Sequence, residues 1–325
     1  MIGGRTVDVS VSVVIPMYDA APWIGEALAS VAGQSRPVHE CLVVDDGSTD
    51  DGASIVRAFA VSSPCQVRLI SIEHAGVSAA RNAGIEASTG EFVAFLDADD
   101  VWAQDKIERQ VAAMQRSDAV MCTTGCAMFD TETRRVSGIF SNDRASARHP
   151  DRAIRRWLAL EGNGLAIGST ALVRRAALDR VKEFDTRVSV CEDIELTVRL
   201  LEVGSILIDR EVLVGYRQHS SQAHRELDAI ASNTSALYGV LSFDGFGRSF
   251  ENRCLANLDA HLGYSLLVRG RVVDGSRLLL RVVRRDPRRL VTLPLYAVTR
   301  RLARRWRAML RRSSWPVIPD PSPCR

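Results

Sequence analysis

The feature that most constrains this chain is the alternation of two hydrophobic periods over its first hundred residues. Val9 to Ile15 is a β-branched run closed by Pro16, the pattern of a strand buried on both faces. Pro22 to Val31 follows, with Trp23, Ile24, Ala27, Leu28 and Val31 at helical spacing. The pair recurs as Cys41 to Val44 with Ser54 to Ala60, then as Val67 to Ile72 with Gly76 to Ala87. Glu91 to Leu96 reads as a fourth strand. Parallel strands need long crossovers, and helices supply them. The order predicts an α/β fold: a doubly wound, mostly parallel sheet with helices on both faces.

Ligands bind such sheets beyond the carboxyl ends of the strands. Three polar or acidic clusters fall there: Pro16-Met17-Tyr18-Asp19, Asp45-Asp46, and Asp97-Ala98-Asp99-Asp100. Turn residues at strand ends are often Asp, which accounts for one such cluster easily and for three poorly. The clusters therefore mark a site. The glycine fingerprint of dinucleotide folds is absent after the first strand, as is the G-x-x-x-x-G-K-[ST] loop. Hydride transfer and P-loop ATPase chemistry are disfavoured. Carboxylates repel a diphosphate unless a divalent cation stands between them, so the edge calls for Mg²⁺ or Mn²⁺ with oxygen ligands.

Four blocks in order carry a resemblance: Val13-Val14-Ile15-Pro16-Met17-Tyr18-Asp19, Val43-Val44-Asp45-Asp46-Gly47-Ser48-Thr49-Asp50, Gly76-Val77-Ser78-Ala79-Ala80-Arg81-Asn82-Ala83-Gly84 and Phe95-Leu96-Asp97-Ala98-Asp99-Asp100. The chain resembles the family 2 glycosyltransferases of GT-A fold over roughly residues 9–220. The resemblance implies an inverting transferase that uses a nucleotide-diphosphate sugar, UDP-linked by expectation. It implies that Pro16, Tyr18, Asp45 and Asp46 line the nucleotide pocket and that Arg81 faces the nucleotide. Asp97 and Asp99 match the D-x-D, with Asp97 near the ribose and Asp99 on the metal. Asp19 stands where many members have Asn, which weakens the uridine expectation.

Beyond residue 118 the pattern predicts a strand at 119–125, a loop over Asp130 to Asp151, a strand over Gly168 to Val173, an amphipathic helix over Glu192 to Val203, short strands at 206–208 and 212–216, and a helical hairpin over Leu262 to Leu290. Within this stretch, Cys191-Glu192-Asp193-Ile194-Glu195-Leu196 resembles the family's E-D block, which implies Asp193 as the base that takes the acceptor proton. Single in-line displacement needs only one carboxylate behind the acceptor hydroxyl. Read without the resemblance, Glu192 and Asp193 simply open a helix. Glu192 and Ser169 are assigned to the acceptor side. Tyr216-Arg217-Gln218-His219 resembles a further element whose His approaches the metal or diphosphate, which adds His219 to Asp97 and Asp99 as metal residues. His39, His74, His149, His224 and His261 carry only structural readings. The Q-x-x-R-W motif of processive synthases is absent, so transfer of single sugars to a glycan or lipid-linked acceptor of cell-surface polysaccharide synthesis is expected. A sugar nucleotidyltransferase would want a Gly-rich basic loop where Pro16-Met17-Tyr18 stands. A non-catalytic binding module would not need Asp97, Asp99 and Asp193.

Charge divides the chain. Its net +3 hides 16 Arg against 3 Asp between Tyr264 and Arg325, a local +13 that leaves about −10 for residues 1–263. We divide it at 225/226, into a catalytic domain and a basic helical region. Leu278 to Arg285 and Arg300 to Trp306 interleave Arg with apolar residues, a pattern suited to an anionic membrane surface, with Trp306 and Trp315 as anchors. Nucleic acid is not expected, because no binding module is visible. No apolar run approaches the ~18 residues that span a bilayer, and no signal-peptide core opens the chain. The expected location is cytoplasmic, peripheral to the membrane. Seven widely spaced Cys without a CxxC pair fit a reduced compartment, with Cys122 and Cys126 on a buried strand.

Overall fold

The computed structural model describes residues 9–140, 147–159, 161, 168–188, 192–219, 239–240 and 246–290. Strand β1 (Val11–Met17) pairs in parallel with β2 (Glu40–Asp45) on one side and β4 (Phe92–Phe95) on the other, and β3 (Gln66–Ser71) lies beyond β2. Helices α1 (Ile24–Ala32), α2 (Gly52–Ser62) and α3 (Val77–Ala87) make the crossovers. Pro16 has no N–H to give a ladder, and the β1–β4 pairing has already ended at Val14 opposite Phe95.

The sheet continues through β5 (Val101–Trp102), β6 (Met121–Asp130), β7 (Val136–Phe140), β8 (Leu172–Arg174) and β9 (Ile206–Gln218). Among the described residues the strand order is β3-β2-β1-β4-β8-β6-β9-β5, with β7 added to β6. Strands β5, β7 and β8 run antiparallel to their neighbours. Successive residues of a strand face opposite sides, and β1 shows it. Val13 and Ile15 pack with Ile24 and Leu28 of α1, Val56 of α2 and Ile107 and Val111 of α4 (Lys106–Gln115). Val14 faces the other core, with Ile85 of α3, Ile154 and Leu158 of α5 (Pro150–Leu158), Leu178 of α6 (Arg175–Val181) and Leu196 of α7 (Glu192–Val203). Gly84 lets α3 lie on β1: a Cβ there would meet Val14 Cγ1 at 2.3 Å.

Helix α4 and strand β5 were not foreseen from the sequence. The buried face of α4 carries Lys106 and Gln110 beside Ile107, Val111 and Met114, and two polar residues on that stripe mask its periodicity. The polar stretch 130–151, expected as a loop, contains β7 and the start of α5. Gly168 to Val173, expected as one strand, is a 3₁₀ turn (Gly168–Thr170) followed by β8. The two short strands expected at 206–208 and 212–216 are the single strand β9, whose pairing with β6 shifts register around Gly125.

Lys106 is fully buried, its ammonium 3.9 Å from the Trp102 ring centroid and donating to Gln110 Oε1 at 2.8 Å. Burial pushes its pKa down to about 7. The unfolded chain then binds the extra proton between about pH 7 and the ordinary lysine value near 10.4, so this group adds stability as pH rises through that window. Lys106→Met removes the dependence. The stability difference between wild type and variant should change by a few kcal/mol from pH 6.5 to 9.5 in urea titrations. A pH-independent difference would show that Lys106 stays charged.

The helical end is a hairpin of α8 (Arg248–Val268) and α9 (Val272–Arg285), turning at Gly270. It starts earlier than the hairpin expected at 262–290. The helices cross closely, with a Cβ on Gly275 falling 2.8 Å from Gly263 O. Asp259 of α8 pairs with Arg285 of α9. Cys254 and Leu258 of α8 enter the same core as Ile154 and Leu196, and Arg253 and Arg289 both pair with Glu161. Cys41, Cys122, Cys126 and Cys254 are buried free thiols. Arg300 to Trp306, Trp315, Cys191, Cys324 and the 225/226 boundary lie outside the described residues.

Candidate active site

The carboxyl ends of β1 and β2 are tied together by backbone and by carboxylates. Asp46 donates its N–H to Met17 O at 2.8 Å, and its carboxylate accepts from the N–H groups of Ala75 and Gly76 at 2.8 and 2.9 Å. His74 Nδ1 lies 3.0 Å from Asp46 Oδ2, and the His74 ring sits 4.3 Å from that of Tyr18. Tyr18 is 49% exposed, so an open aromatic pair stands beside Asp46. Asp45 accepts from Ser48 N–H at 2.9 Å. Asp19 adopts a left-handed backbone (φ 45°) while accepting from Thr49 N–H at 2.7 Å. Asn and Asp are the side chains that tolerate that conformation, which accounts for either one at this position.

Beyond β4, the loop Asp97–Asp100 is gripped from three sides. Asp97 N–H donates to Ser169 Oγ at 3.0 Å, and the Ser169 hydroxyl donates to Asp100 Oδ2 at 2.6 Å. Arg217 N–H donates to Asp100 Oδ1 at 3.0 Å, and its guanidinium donates to Asp99 O at 2.7 Å and to Glu26 at 2.8 Å. Arg217 is therefore a buried brace for the loop. Asp99 Oδ2 lies 2.9 Å from His219 Nε2, and the His219 ring stacks on Trp23 at 4.0 Å. Burial raises the pKa values of Asp99 and Asp100, with Asp97 adding repulsion to both; Asp99 adds to it at Asp100, and His219 opposes the rise at Asp99.

Helix α7 brings the third part. Arg81 of α3 is buried, donating to Asp97 Oδ1 at 2.7 Å and pairing with Glu192 at the start of α7. Asp193 accepts from Gly168 N–H at 3.1 Å. A Cβ on Gly168 would lie 3.5 Å from Asp97 Oδ2 and 3.8 Å from Asp193 Oδ2, so both carboxylates come close to this glycine (φ 31°). Asp193 is pushed up to about 7 by burial first and by Glu192 next, while Arg81 opposes the rise. A carboxylate tuned near neutrality can take a proton and release it.

Asp45, Asp46, Arg81, Asp97, Asp99, Ser169, Glu192, Asp193 and His219 thus gather along one sheet edge, with Pro16 and Tyr18 at the end of β1. Ser169 supports the acidic loop from below. Glu192 is turned to Arg81, and Arg81 to two carboxylates. Sequence reasoning missed Gly168, Trp23, His74, Glu26 and Arg217 as parts of this edge. Trp23, at helical spacing with the apolar face of α1, is the residue before that helix and stacks on His219. The available signal is Gly168 itself, since a glycine in a run that reads as a strand marks a bulge or a close approach.

Among the described residues no three His, Cys, Asp or Glu side chains form a complete metal cage. Asp99 and His219 supply an oxygen and an imidazole in contact, a donor pair suited to Mn²⁺ or Mg²⁺ when a diphosphate completes the shell.

The sequence description of glycosyl transferase family 2 matches residues 12–182, more than half of the chain. The chain belongs to glycosyl transferase family 2. This glycosyltransferase is 30% identical over 231 residues to an uncharacterized glycosyltransferase, alr2836, of Nostoc sp., covering 70% of each chain. Its fold is shared with S. aureus TarS 1–349 in complex with UDP, at TM-score 0.58, 19% identity and coverage of 90% and 87%. It is shared too with the mannosyltransferase PcManGT of Pyrobaculum calidifontis in complex with GDP-Man and Mn²⁺, at TM-score 0.60, 20% identity and coverage of 94% and 84%. The GT-A-type α/β architecture expected from the four sequence blocks is the one observed.

Proposed function

We propose that this glycosyltransferase inverts configuration at the anomeric carbon of a nucleotide-diphosphate sugar, with Asp193 as general base and the Asp97–Asp99 loop at the donor. The observation that carries the reading is the convergence of Asp97 and Asp193, from two different elements, on Gly168. A sugar nucleotide with its ribose at Asp97 and its diphosphate joined to Asp99 through a cation would bring its anomeric carbon near Asp193.

Tyr18, with Pro16 and Asp46 beside it, would receive the base, and Asp45 holds the loop that frames it. Asp97 is fixed by Arg81 for the ribose. Asp99 and His219 would hold Mn²⁺ or Mg²⁺, which neutralises the charge growing on the departing diphosphate. The acceptor hydroxyl gives its proton to Asp193, its oxygen bonds to the anomeric carbon, and the bond to the diphosphate oxygen breaks with its electron pair. The nucleoside diphosphate leaves. Asp193, raised toward neutrality, matches the demand on such a base. Glu192, through Arg81, keeps the base and the donor carboxylate in one arrangement.

UDP is favoured as nucleotide on the resemblance, and TarS binds UDP; PcManGT binds GDP-Man, which makes GDP the competing class. The acceptor we assign to glycans or lipid-linked sugars of cell-surface polysaccharide synthesis, one sugar at a time, on the cytoplasmic side. We read residues 1–225 as the catalytic domain and 226–325 as a basic helical region docked on it. No helix among the described residues is long and apolar enough to cross a membrane.

A donor panel tests the reading. Incubated with Mn²⁺ and without acceptor, the protein should slowly release UDP from one UDP-sugar, and the same sugar should raise its melting temperature. Binding without release, under any metal, would favour a non-catalytic module. Pyrophosphate-dependent formation of a nucleoside triphosphate would mean a nucleotidyltransferase.

A further inference from the structure

The hairpin α8–α9 carries a surface that the donor site does not use. Five of the eight large apolar side chains exposed among the described residues lie between positions 268 and 283: Val268, Val272, Val273, Leu280 and Val283. Scattered singly they would need no explanation, but here they share one element. At about 100° per residue, Val272, Val273, Leu280 and Val283 form one strip along the outer side of α9. Arg277, Arg281 and Arg284, spaced by 4 and 3 residues, form a second strip beside it, also exposed, with Arg281 3.8 Å from Asp259 of α8. The inner side, Gly275 and Val282, is taken by α8. Arg277 and Arg284 make no ion pair among the described residues. The face is thus apolar on one flank and cationic on the other.

We infer that this outer face of α9 docks on an anionic lipid bilayer, with the helix lying in the plane of the interface. Charge chooses the partner: the Arg strip needs clustered phosphates, and the apolar strip needs acyl chains beside them. Nucleic acid supplies the first and leaves Leu280 and Val283 in water. Another protein would have to be both acidic and apolar along one groove. A bilayer offers both at every point of its surface. Long Arg side chains suit the arrangement because they reach headgroups while their stems stay with the apolar strip.

The full chain should sediment with phosphatidylcholine vesicles that contain phosphatidylglycerol and stay in solution with phosphatidylcholine alone. Two variants locate the contact. Val273→Gln with Leu280→Gln and Val283→Gln removes the apolar strip and keeps helix propensity. Arg277→Gln with Arg284→Gln removes charge that folds nothing. Each should weaken vesicle binding about tenfold or more, with the melting temperature nearly unchanged. The inference is overturned by wild-type protein that ignores anionic vesicles. It is overturned equally by binding that survives the apolar variant, since residues 291–325 or bulk charge would then carry it. A shift to smaller particles in light scattering on the apolar variant, without lipid binding by wild type, would make the face a contact between two copies. Donor turnover without lipid is read in parallel, so failure here and failure of the donor site remain separate results.

Discussion

Asp193→Asn is expected to lower kcat by about 10²–10⁴-fold, the usual share of a general base, while leaving nucleotide affinity nearly intact. The substitution keeps the size of the side chain and its contact with Gly168 N–H, and removes only proton affinity. The pH profile makes the test specific. Asp193 works deprotonated and its pKa is pushed up to about 7, so wild-type kcat should fall as pH drops below neutrality, and the variant should lose that limb. Glu192→Gln is the control. Its charge contributes to the raised pKa of Asp193, so the limb should move to lower pH, while kcat falls less than in Asp193→Asn because Gln can still accept from Arg81. Near-normal rates for Asp193→Asn, or an unchanged limb, would place the base elsewhere and leave Asp193 as a helix opener.

The alternating half of the fold was legible because its physics is local. Strands β1, β2 and β4 are apolar runs, β3 alternates, and the crossover helices between them carry apolar stripes, so the order of β1 to β4 follows from period. Helix α7 was read with both its limits, Glu192–Val203. The antiparallel additions were not legible. Strand β5 is two residues long and exists only through pairing with Val214 and Gly215 of β9. Strand β9 reads as two pieces because Asp209, Arg210 and Glu211 interrupt its apolar pattern; the pairing with β6 skips these three residues at a register shift and resumes at Val212.

The site was legible in residue types and illegible in contacts. Asp97, Asp99 and Asp193 were identified from motifs, but nothing in one sequence says that residues 97 and 193 meet at Gly168. Arg81 shows the same limit. Its motif suggested a side chain facing the nucleotide, whereas the structure buries it between Asp97 and Glu192, where it binds two elements of the site together. A buried cation between two carboxylates is costly to break from either end, because the remaining charge is left uncompensated. That makes Arg81 a positioning residue.

Asp99→Ala is expected to abolish sugar transfer and to weaken the metal-dependent part of nucleotide binding. Asp99 sits at the end of the acidic loop, held by the brace from Arg217 to its carbonyl, with its carboxylate turned to His219. Without that carboxylate, only His219 remains of the donor pair, and a diphosphate would face Asp97 and Asp100 with less positive charge between them. Repulsion of that kind falls on the ground state and grows as charge collects on the leaving group, so both affinity and kcat should suffer. Titrating UDP by calorimetry with and without Mn²⁺ separates the two. Wild type should gain affinity on adding the metal and the variant should not, while the metal-free affinity of both stays similar, since Tyr18 and Asp46 are untouched. His219→Ala should produce a smaller loss of the same kind, because one carboxylate still anchors the cation. Full transfer activity in EDTA, or an Asp99→Ala protein that still gains affinity from Mn²⁺, would remove Asp99 from the metal and leave its contact with His219 as a structural one.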